Sequence, residues 1–447
     1  MNDAAATLEK VPYLPPMITA GDVLGPRAPA LAADTGVDPL VLSDLALRAA
    51  YTVPNFTTEW AARRLCLPQP LVGEMLEQLR ADRLLDVLGQ AGPFGYRFAI
   101  AHRGRERAAR LMEISGYVGP APVSLESYSV FLEWQLAQAP PVTPEHVAAA
   151  LSGLVLSEQA ALTAGLAVSA ARSLFVHGPA GNGKTSLGRA LHSALQGDLW
   201  VPHCIGIDDN IIRVFDPQVH ELADLPADHA WLLDRRWVRI RRPFIVVGGE
   251  LTLAALDLTY SPALRYYEAP VHVKANGGTL LVDDFGRQRI DPHELLNRWI
   301  IPLEHQFDHL TLHTGRKFDI PFRELLVIAT NLSPDDVTDP AFLRRMGYRL
   351  LVDRPDADRY VRIFERYAKG VGLTPGPGAL ARLLARYQAE GRELRGCEPR
   401  DLIERVRDIC RFRGQPAELT KDLLDLAWSG YFGVAQRQPP GAESPAG

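Results

Sequence analysis

Apolar and polar positions along residues 36–115 follow a pattern that predicts four helices and a hairpin. In the third helix, Leu71, Met75, Leu76 and Leu79 recur at helical spacing. The predicted elements are helices over Leu40–Ala50, from Thr57 or Thr58 to Leu65, over Gln69–Arg80 and from Arg103, and strands over Leu84–Leu88 and Tyr96–Ile100 joined by a turn at 90–95. Residues 36–115 are therefore expected to form a domain of their own.

The rest of the chain divides by composition and periodicity. An Ala- and Pro-rich start and a Pro- and Gly-rich end are expected to be flexible. A capping box at Val142–Glu145 predicts a helix running through Leu156. The predicted domains are a flexible leader (1–35), the helical domain with its hairpin (36–115), a helical connector (116–165), an αβ core (166–355) with an insertion around 206–270, a helical lid (356–435) and a flexible tail (436–447).

Three short apolar runs in the core predict buried strands, and each ends in polar residues. The first, Leu174–Val176, leads into G-x-x-x-x-G-K-T, which is followed by a helical pattern over Ser186–Leu195. This strand–loop–helix context is that of a phosphate-binding P-loop, in which backbone N–H groups and a helix N-terminus face one anion. The candidate nucleotide-binding residues are Gly178, Pro179, Ala180, Gly181, Asn182, Gly183, Lys184, Thr185 and Ser186.

Within that loop, Lys184 is expected to reach the β- and γ-phosphates of ATP, and the Thr185 hydroxyl to bind Mg²⁺. The second run, Thr279–Val282, ends in Asp283 and Asp284, the Walker B pattern. Asp283 is the predicted Mg²⁺ ligand through water, and Asp284 is the carboxylate predicted to orient the attacking water. A buried strand that ends in a solvated acidic turn is the alternative interpretation.

The third run, Leu325–Ala329, is followed by Thr330 and Asn331, whose amide is placed to polarise the lytic water. Further on, Arg344 and Arg345 lie at a predicted helix end, and Arg400 lies near the start of another helix. The sequence thus predicts an α/β P-loop NTPase with a parallel sheet, followed by an all-α lid.

Composition narrows the function classes. The 447 residues carry a net charge of −5, which does not indicate a bulk polyanion binder. Four scattered cysteines suggest neither a disulfide framework nor a zinc site. No apolar run is long enough to span a membrane, and the N-terminus lacks a signal pattern, so a cytoplasmic protein without membrane insertion is expected.

In their order, these motifs resemble the AAA+ ATPases. The resemblance implies that Asn331 is a sensor-1 residue, that Arg344 or Arg345 is an arginine finger serving the neighbour in a ring-shaped homo-oligomer, and that Arg400 is the lid's sensor-2 arginine. Lys274–Thr279 and Phe285–Arg287 look like the MoxR and chelatase branch, where Arg287 contacts nucleotide across the interface or is a surface arginine. AAA+ proteins usually carry Glu at position 284, and the shorter Asp puts the water-activating geometry in doubt.

Residues 36–115 resemble a winged-helix domain. Their ten arginines and nine acidic residues give no basic footprint, and Glu74 and Glu77 lie on the predicted recognition helix, so protein docking is favoured over DNA binding. In the insertion, Arg239 and Arg241 alternate with apolar residues on a predicted strand, near Trp231. This pattern suits single-stranded nucleic acid, or arginines paired with acidic residues of a neighbouring subunit, and the second interpretation is favoured.

The function that best fits the sequence is an ATP- and Mg²⁺-dependent ATPase that remodels or activates a partner protein. A DNA-associated ATPase or transcription regulator is one alternative. A nucleotide switch that does not hydrolyse ATP is another.

Overall fold

The N-terminal segment, expected to be flexible, contains a hairpin. The computed structural model describes residues 11–92, 95–333 and 340–433. Strands β1 (Met17–Ala20) and β2 (Val23–Pro26) pair antiparallel. The prediction of a flexible leader is wrong here because Ala20 and Val23 are buried in one cluster with Trp200. Residues 1–10 and the predicted tail 436–447 lie outside the described residues.

Residues 39–114 form the predicted helices and hairpin strands in the predicted order, with one additional short strand at Phe56–Thr57 that was not predicted. The elements are α1 (Pro39–Tyr51), β3 (Phe56–Thr57), α2 (Thr58–Leu65), α3 (Gln69–Ala81), β4 (Leu85–Gln90), β5 (Tyr96–Ile100) and α4 (His102–Ile114). The side chains of Asp38 and Thr57 cap α1 and α2 by accepting backbone N–H groups, which explains where these helices start. The three strands form an antiparallel sheet in the order β3-β5-β4. Two residues of the predicted turn, 93 and 94, lie outside the described residues.

The connector contains β6 (Val123–Ser124), α5 (Leu125–Gln138), α6 (Pro144–Leu151) and α7 (Glu158–Ser169). Thr143 caps α6 as predicted, but the helix ends at Leu151 rather than running through Leu156. The Ser157 side chain starts a new helix by accepting the N–H of Ala160. Because α7 runs to Ser169, the predicted boundary at 165 falls inside a helix.

Between residues 174 and 351 the core and its insertion are interleaved. The elements are β7 (Leu174–His177), α8 (Lys184–Ser193), β8 (Asp198–Pro202), β9 (Cys204–Ile207), β10 (Asn210–Arg213), β11 (Trp237–Arg241), β12 (Phe244–Val247), β13 (Thr259–Ser261), β14 (Tyr266–Glu268), α9 (Val271–Ala275), β15 (Thr279–Phe285), α10 (Pro292–His305), β16 (Phe307–Thr311), β17 (Lys317–Pro321), β18 (Leu325–Thr330), α11 (Pro340–Arg345) and β19 (Tyr348–Leu351).

Five of these strands form the core sheet, all parallel, in the order β12-β15-β18-β7-β19. Strand β7 is buried on both faces, as its unbroken apolar run predicts for a parallel sheet. Leu174 and Val176 pack in the cluster on one face, and Phe175 packs in the cluster on the other. With helices covering both faces, this is the predicted α/β P-loop NTPase fold.

The predicted insertion at 206–270 needs a correction, because it contains a core strand. Strand β12, Phe244–Val247, forms the edge of the core sheet beside β15. The extra material therefore lies in two pieces, one before and one after β12. Together with β6 these pieces build a second five-stranded sheet, in the order β13-β14-β10-β9-β6, against which the β16–β17 hairpin buries Leu310 and Ile320.

The C-terminal segment is all-α within the described residues. It contains α12 (Ala357–Gly370), α13 (Ala379–Ala389), α14 (Glu398–Phe412) and α15 (Lys421–Phe432). These helices share a separate apolar cluster that includes Tyr360, Leu402 and Trp428. The segment thus has its own core beside the parallel sheet, as predicted for a lid.

Candidate functional site

The predicted phosphate loop lies between β7 and α8, at the carboxyl edge of the core sheet. Gly178, Gly181 and Gly183 have φ values of 139°, 79° and 90°, which side chains rarely allow. Ser186 lies in the first turn of α8, which begins at Lys184, two residues earlier than the sequence pattern suggested. The curled loop and the helix N-terminus are therefore arranged as a P-loop requires.

Lys184 is held by three acceptors. Its Nζ donates to the carbonyl oxygens of Gly178 at 2.8 Å and Pro179 at 3.0 Å, and to Asn331 Oδ1 at 2.7 Å. Burial lowers the pKa of the Lys184 ammonium, while the carboxylates of Asp284 and Asp283 oppose this change. The ammonium is thus a buried cation whose position beside the loop is fixed by hydrogen bonds.

The Walker B carboxylates face the start of α8. The Thr185 hydroxyl donates to Asp283 Oδ2 at 2.8 Å, so the two predicted Mg²⁺ ligands lie side by side. Asp284 has a φ of 48°, and the pairing register between β15 and β18 shifts between Val282 and Phe285. A residue other than glycine in this backbone region is uncommon, and such strain is concentrated at functional sites.

Asn331 connects the buried cation to the second carboxylate. While its Oδ1 accepts from Lys184, its Nδ2 donates to Asp284 Oδ1 at 3.1 Å. Both partners fix the orientation of the amide, because one is a donor and the other an acceptor. The structure therefore brings together Lys184, Thr185, Asp283, Asp284 and Asn331, which come from three separate segments of the sequence.

The lid meets the P-loop through the turn before α14. The N–H of Cys397 donates to the carbonyl of Gly181 at 2.7 Å, and the N–H of Gly396 donates to Asn182 Oδ1 at 2.9 Å. Arg400 instead pairs with Asp401 at 2.9 Å, and its side chain is 60% exposed. Arg395, which the sequence analysis missed, lies closer, since a Cβ on Gly181 would come within 3.9 Å of its Cδ.

A cavity of about 480 Å³ lies between the core and the lid, beside the P-loop. Its lining includes Asn182 and Gly396, and three segments that sequence reasoning missed, namely Val155–Ser157, Arg349–Asp353 and the start of α12 with Arg359. These segments are far apart in the chain and carry no motif, so no local signal could have found them. The position suits the non-phosphate part of a nucleotide bound at the P-loop.

The arginine pair on α11 divides into two environments. Arg345 Nε binds Glu304 Oε2 at 2.8 Å, and its side chain is 20% exposed. Arg344 is exposed. Arg287 is also exposed and lies 3.5 Å from Asp284 Oδ2. Of the two predicted finger residues, Arg344 is therefore the one directed to solvent.

The insertion arginines form ion pairs within the chain. Arg239 binds Asp198 at 2.9 Å, and Arg241 lies 3.3 Å from Glu221. Both acidic partners in these contacts belong to the same chain, and pairing across a subunit interface stays a prediction. Trp231 is 74% exposed and lies outside β11.

Helix α3, the predicted recognition helix, carries one cation, Arg80, and two carboxylates, Glu74 and Glu77. Arg80 pairs with Glu77 at 2.8 Å.

The described residues contain neither a large cluster of metal ligands nor a helix that could cross a membrane. No group of three or more His, Cys, Asp or Glu side chains that could hold a metal is found in this part of the chain. Among the same residues, none of the helices combines the length and apolar character that crossing a membrane demands.

Residues 356–430 match the model of a family described as a domain of unknown function (DUF8689). No curated protein matches the sequence. A mutant of RuvB from Thermotoga maritima is similar in structure, with a TM-score of 0.38 and 15% identity, over 63% of this chain and 72% of that chain. NtrX from Brucella abortus in complex with ATP is similar with a TM-score of 0.37 and 14% identity, over 72% of this chain and 57% of that chain. At these TM-scores neither similarity carries weight for function.

Proposed function

We propose that this protein binds and hydrolyses ATP as an oligomeric AAA+ protein that remodels or activates a partner protein. The observation that carries the proposal is the convergence of Lys184, Thr185, Asp283, Asp284 and Asn331 at one edge of the sheet. A buried cation, a helix N-terminus and two carboxylates arranged in this way suit a nucleoside triphosphate.

Each residue has a proposed task in hydrolysis. Lys184 and the loop N–H groups hold the β- and γ-phosphates. Asp284 accepts a proton from water as the water oxygen bonds to the γ-phosphorus, and the bond from that phosphorus to the bridging oxygen of ADP breaks. Asn331 fixes Asp284 through its amide. The base and sugar occupy the cavity beside Asn182, and the lid closes over them.

The donor set fits Mg²⁺. The Thr185 hydroxyl and the Asp283 carboxylate are oxygen ligands 2.8 Å apart, and Mg²⁺ bound with nucleotides uses one or two carboxylates plus phosphate oxygens. When bound, the ion would neutralise charge on the phosphates.

Titration with ATP and an assay of phosphate release test this function. Lys184→Ala is expected to abolish binding, because it removes the cation beside the P-loop. Lys274→Ala is the matched control, since Lys274 is also largely buried and its ammonium is held by Asp216 at 2.7 Å, but it lies on α9 and not in the P-loop. Wild-type affinity in Lys184→Ala, or equal loss in both variants, would contradict the P-loop assignment.

We assign the trans-acting finger to Arg344, which serves the site of the neighbouring subunit in a ring. A trans-acting arginine stabilises charge on the transferring phosphoryl group, so activity per subunit is expected to rise as subunits assemble. Mixing Arg344→Ala with Lys184→Ala is expected to restore some activity, because the first chain keeps an intact P-loop and the second supplies the finger. Equal activity of a dilute wild-type monomer would refute the shared site.

Residues 36–115 are proposed as a winged-helix domain that docks a protein. The support is the element order with α3 at the recognition position, and the acidic character of α3, since carboxylates weaken contacts with phosphates. A fluorescence anisotropy titration of the full chain with duplex DNA separates this role from that of a DNA-associated regulator. Tight, sequence-specific binding would favour the regulator.

A nucleotide switch without hydrolysis is the second candidate, and Asp284 is the observation that favours it. The side chain is one methylene shorter than Glu, and the backbone at this residue is in the left-handed region. Tight ATP binding with no phosphate release at any protein concentration would establish the switch in place of the ATPase.

A further inference from the structure

The side-chain amide of Asn182 links the P-loop to the lid. Its Oδ1 accepts the Gly396 N–H of the lid at 2.9 Å, and its Nδ2 donates to the Pro179 carbonyl at 3.2 Å. The same carbonyl accepts from Lys184 Nζ at 3.0 Å. These contacts form an unbroken chain of hydrogen bonds from the phosphate-binding cation to the backbone of the lid.

The direction of each bond in this chain is fixed by chemistry. Gly396 offers only an N–H at this contact, and Pro179 offers only a carbonyl, since proline has no N–H. Rotating the Asn182 amide by 180° would oppose two donors at one end and two acceptors at the other. The amide therefore has one stable orientation, in which it links the lid to Pro179.

Close packing supports the same connection. A Cβ on Gly396 would lie 3.4 Å from the Asn182 Cα, and a Cβ on Gly181 would lie 2.7 Å from Cys397 Sγ. The turn before α14 thus rests directly on the loop, without space for an intervening side chain. The Cys397 N–H holds the turn at Gly181 by a second hydrogen bond of 2.7 Å.

We infer that Asn182 is a positioning residue that couples occupancy of the phosphate site to docking of the lid. This inference rests on the proposed nucleotide site. When a phosphate engages Lys184, the Pro179 carbonyl loses that donor and keeps Asn182, so the Asn182 amide is held more firmly toward Pro179 and Gly396. The lid turn then becomes more tightly docked when nucleotide is bound, through this amide.

A further contact between core and lid, away from the P-loop, provides a matched control. Arg354 Nη2 binds Glu393 Oε2 at 2.8 Å, with both side chains about half exposed. An exposed ion pair of this kind contributes little, and it does not touch the P-loop. Glu393→Gln therefore removes a contact of the lid without altering the Asn182 connection.

Hydrogen exchange of the Gly396 amide, resolved within peptides spanning 392–398, tests the inference in the full chain. Without nucleotide, Asn182→Ala should speed this exchange roughly fivefold, because one neutral hydrogen bond is lost. Asn182→Asp should keep the protection, because a carboxylate oxygen still accepts the Gly396 N–H. Unchanged exchange in Asn182→Ala would overturn the inference, as would equal loss of protection in the Ala and Asp variants.

The second part of the test measures exchange at Gly396 with ATP present. In wild type and Glu393→Gln, ATP should slow exchange at Gly396, whereas Asn182→Ala should bind ATP several-fold more weakly and show no such slowing at saturation. Loss of the response in Glu393→Gln, or its survival in Asn182→Ala, would refute the coupling. If the wild type binds no ATP, the proposed function fails, while the measurements without nucleotide still test the Asn182 contact.

Discussion

Asn331→Ala tests the arrangement at the centre of the site. In the wild type, Asn331 Oδ1 accepts a hydrogen bond from the buried Lys184 ammonium, and Asn331 Nδ2 donates one to the exposed Asp284 carboxylate. Lys184 is 7% exposed, whereas the Asp284 side chain is 50% exposed. Water can replace Asn331 at Asp284 but not at Lys184, so the loss of stability comes mainly from the lysine.

A hydrogen bond to a charged group contributes about 1.5–3 kcal/mol, and we therefore expect the variant to lose about 2 kcal/mol in the absence of nucleotide. A non-hydrolysable ATP analogue at saturation supplies phosphate oxygens to Lys184. The difference in unfolding free energy between variant and wild type should then shrink to under about 1 kcal/mol. Phosphate release should fall on the order of 10²- to 10³-fold, because Asp284 loses the amide that orients it.

Urea denaturation with and without the analogue measures the first effect, and a phosphate-release assay measures the second. Asn276→Ala is the control, because this buried amide makes three hydrogen bonds of 2.7–2.9 Å away from the P-loop, to Tyr128, Pro321 and Arg323. Its cost in stability should be the same in both conditions. An Asn331→Ala loss that nucleotide leaves unchanged, together with normal turnover, would refute the reasoning.

Three further predictions concern Asp284, the arginine pair on α11 and His192. Asp284→Asn should keep nucleotide binding and remove phosphate release, because the amide fills the same volume but accepts no proton; unchanged turnover would assign the base elsewhere. Arg344→Ala should lower kcat by about 10³ or more, and Arg345→Ala, whose partner is Glu304, by far less; the reverse order in steady-state assays would exchange their roles. Burial lowers the pKa of His192 from 6.5 to about 4, so the folded chain binds fewer protons than the unfolded chain between these values. Stability is then full above pH 6.5 and falls by up to about 3 kcal/mol toward pH 4; denaturation midpoints should show a shallower fall in His192→Gln, and an identical pH profile would argue against a neutral buried ring.

The features that the sequence predicted well depend on residues close together in the chain. The P-loop and its strand–loop–helix context depend on neighbouring residues, and the three apolar runs at 174–176, 279–282 and 325–329 became parallel strands with their polar ends together. Because carboxyl ends of parallel strands share one edge, the meeting of Lys184 and Asn331 followed from topology rather than from sequence distance.

What the sequence did not reveal depends on contacts between distant segments. Strand β12 is only four residues long and follows an arginine-rich stretch, so its place in the core sheet was hidden within the predicted insertion. Arg400 matched a motif, but the turn at Gly396 and Cys397 is what touches the P-loop. Packing between distant segments determines which strand joins the sheet and which turn contacts the P-loop, and a local residue pattern does not show this packing.

The N-terminal hairpin has a consequence for the order in which this chain folds during synthesis. Trp200 Nε1 donates to the carbonyl of Leu24 at 3.1 Å, and these residues are separated by 176 positions. At about 5–20 residues per second, a ribosome needs on the order of 10–35 s to make the intervening chain. For that interval the hairpin has been made without the indole that it will cover, so its docking comes late relative to its own synthesis.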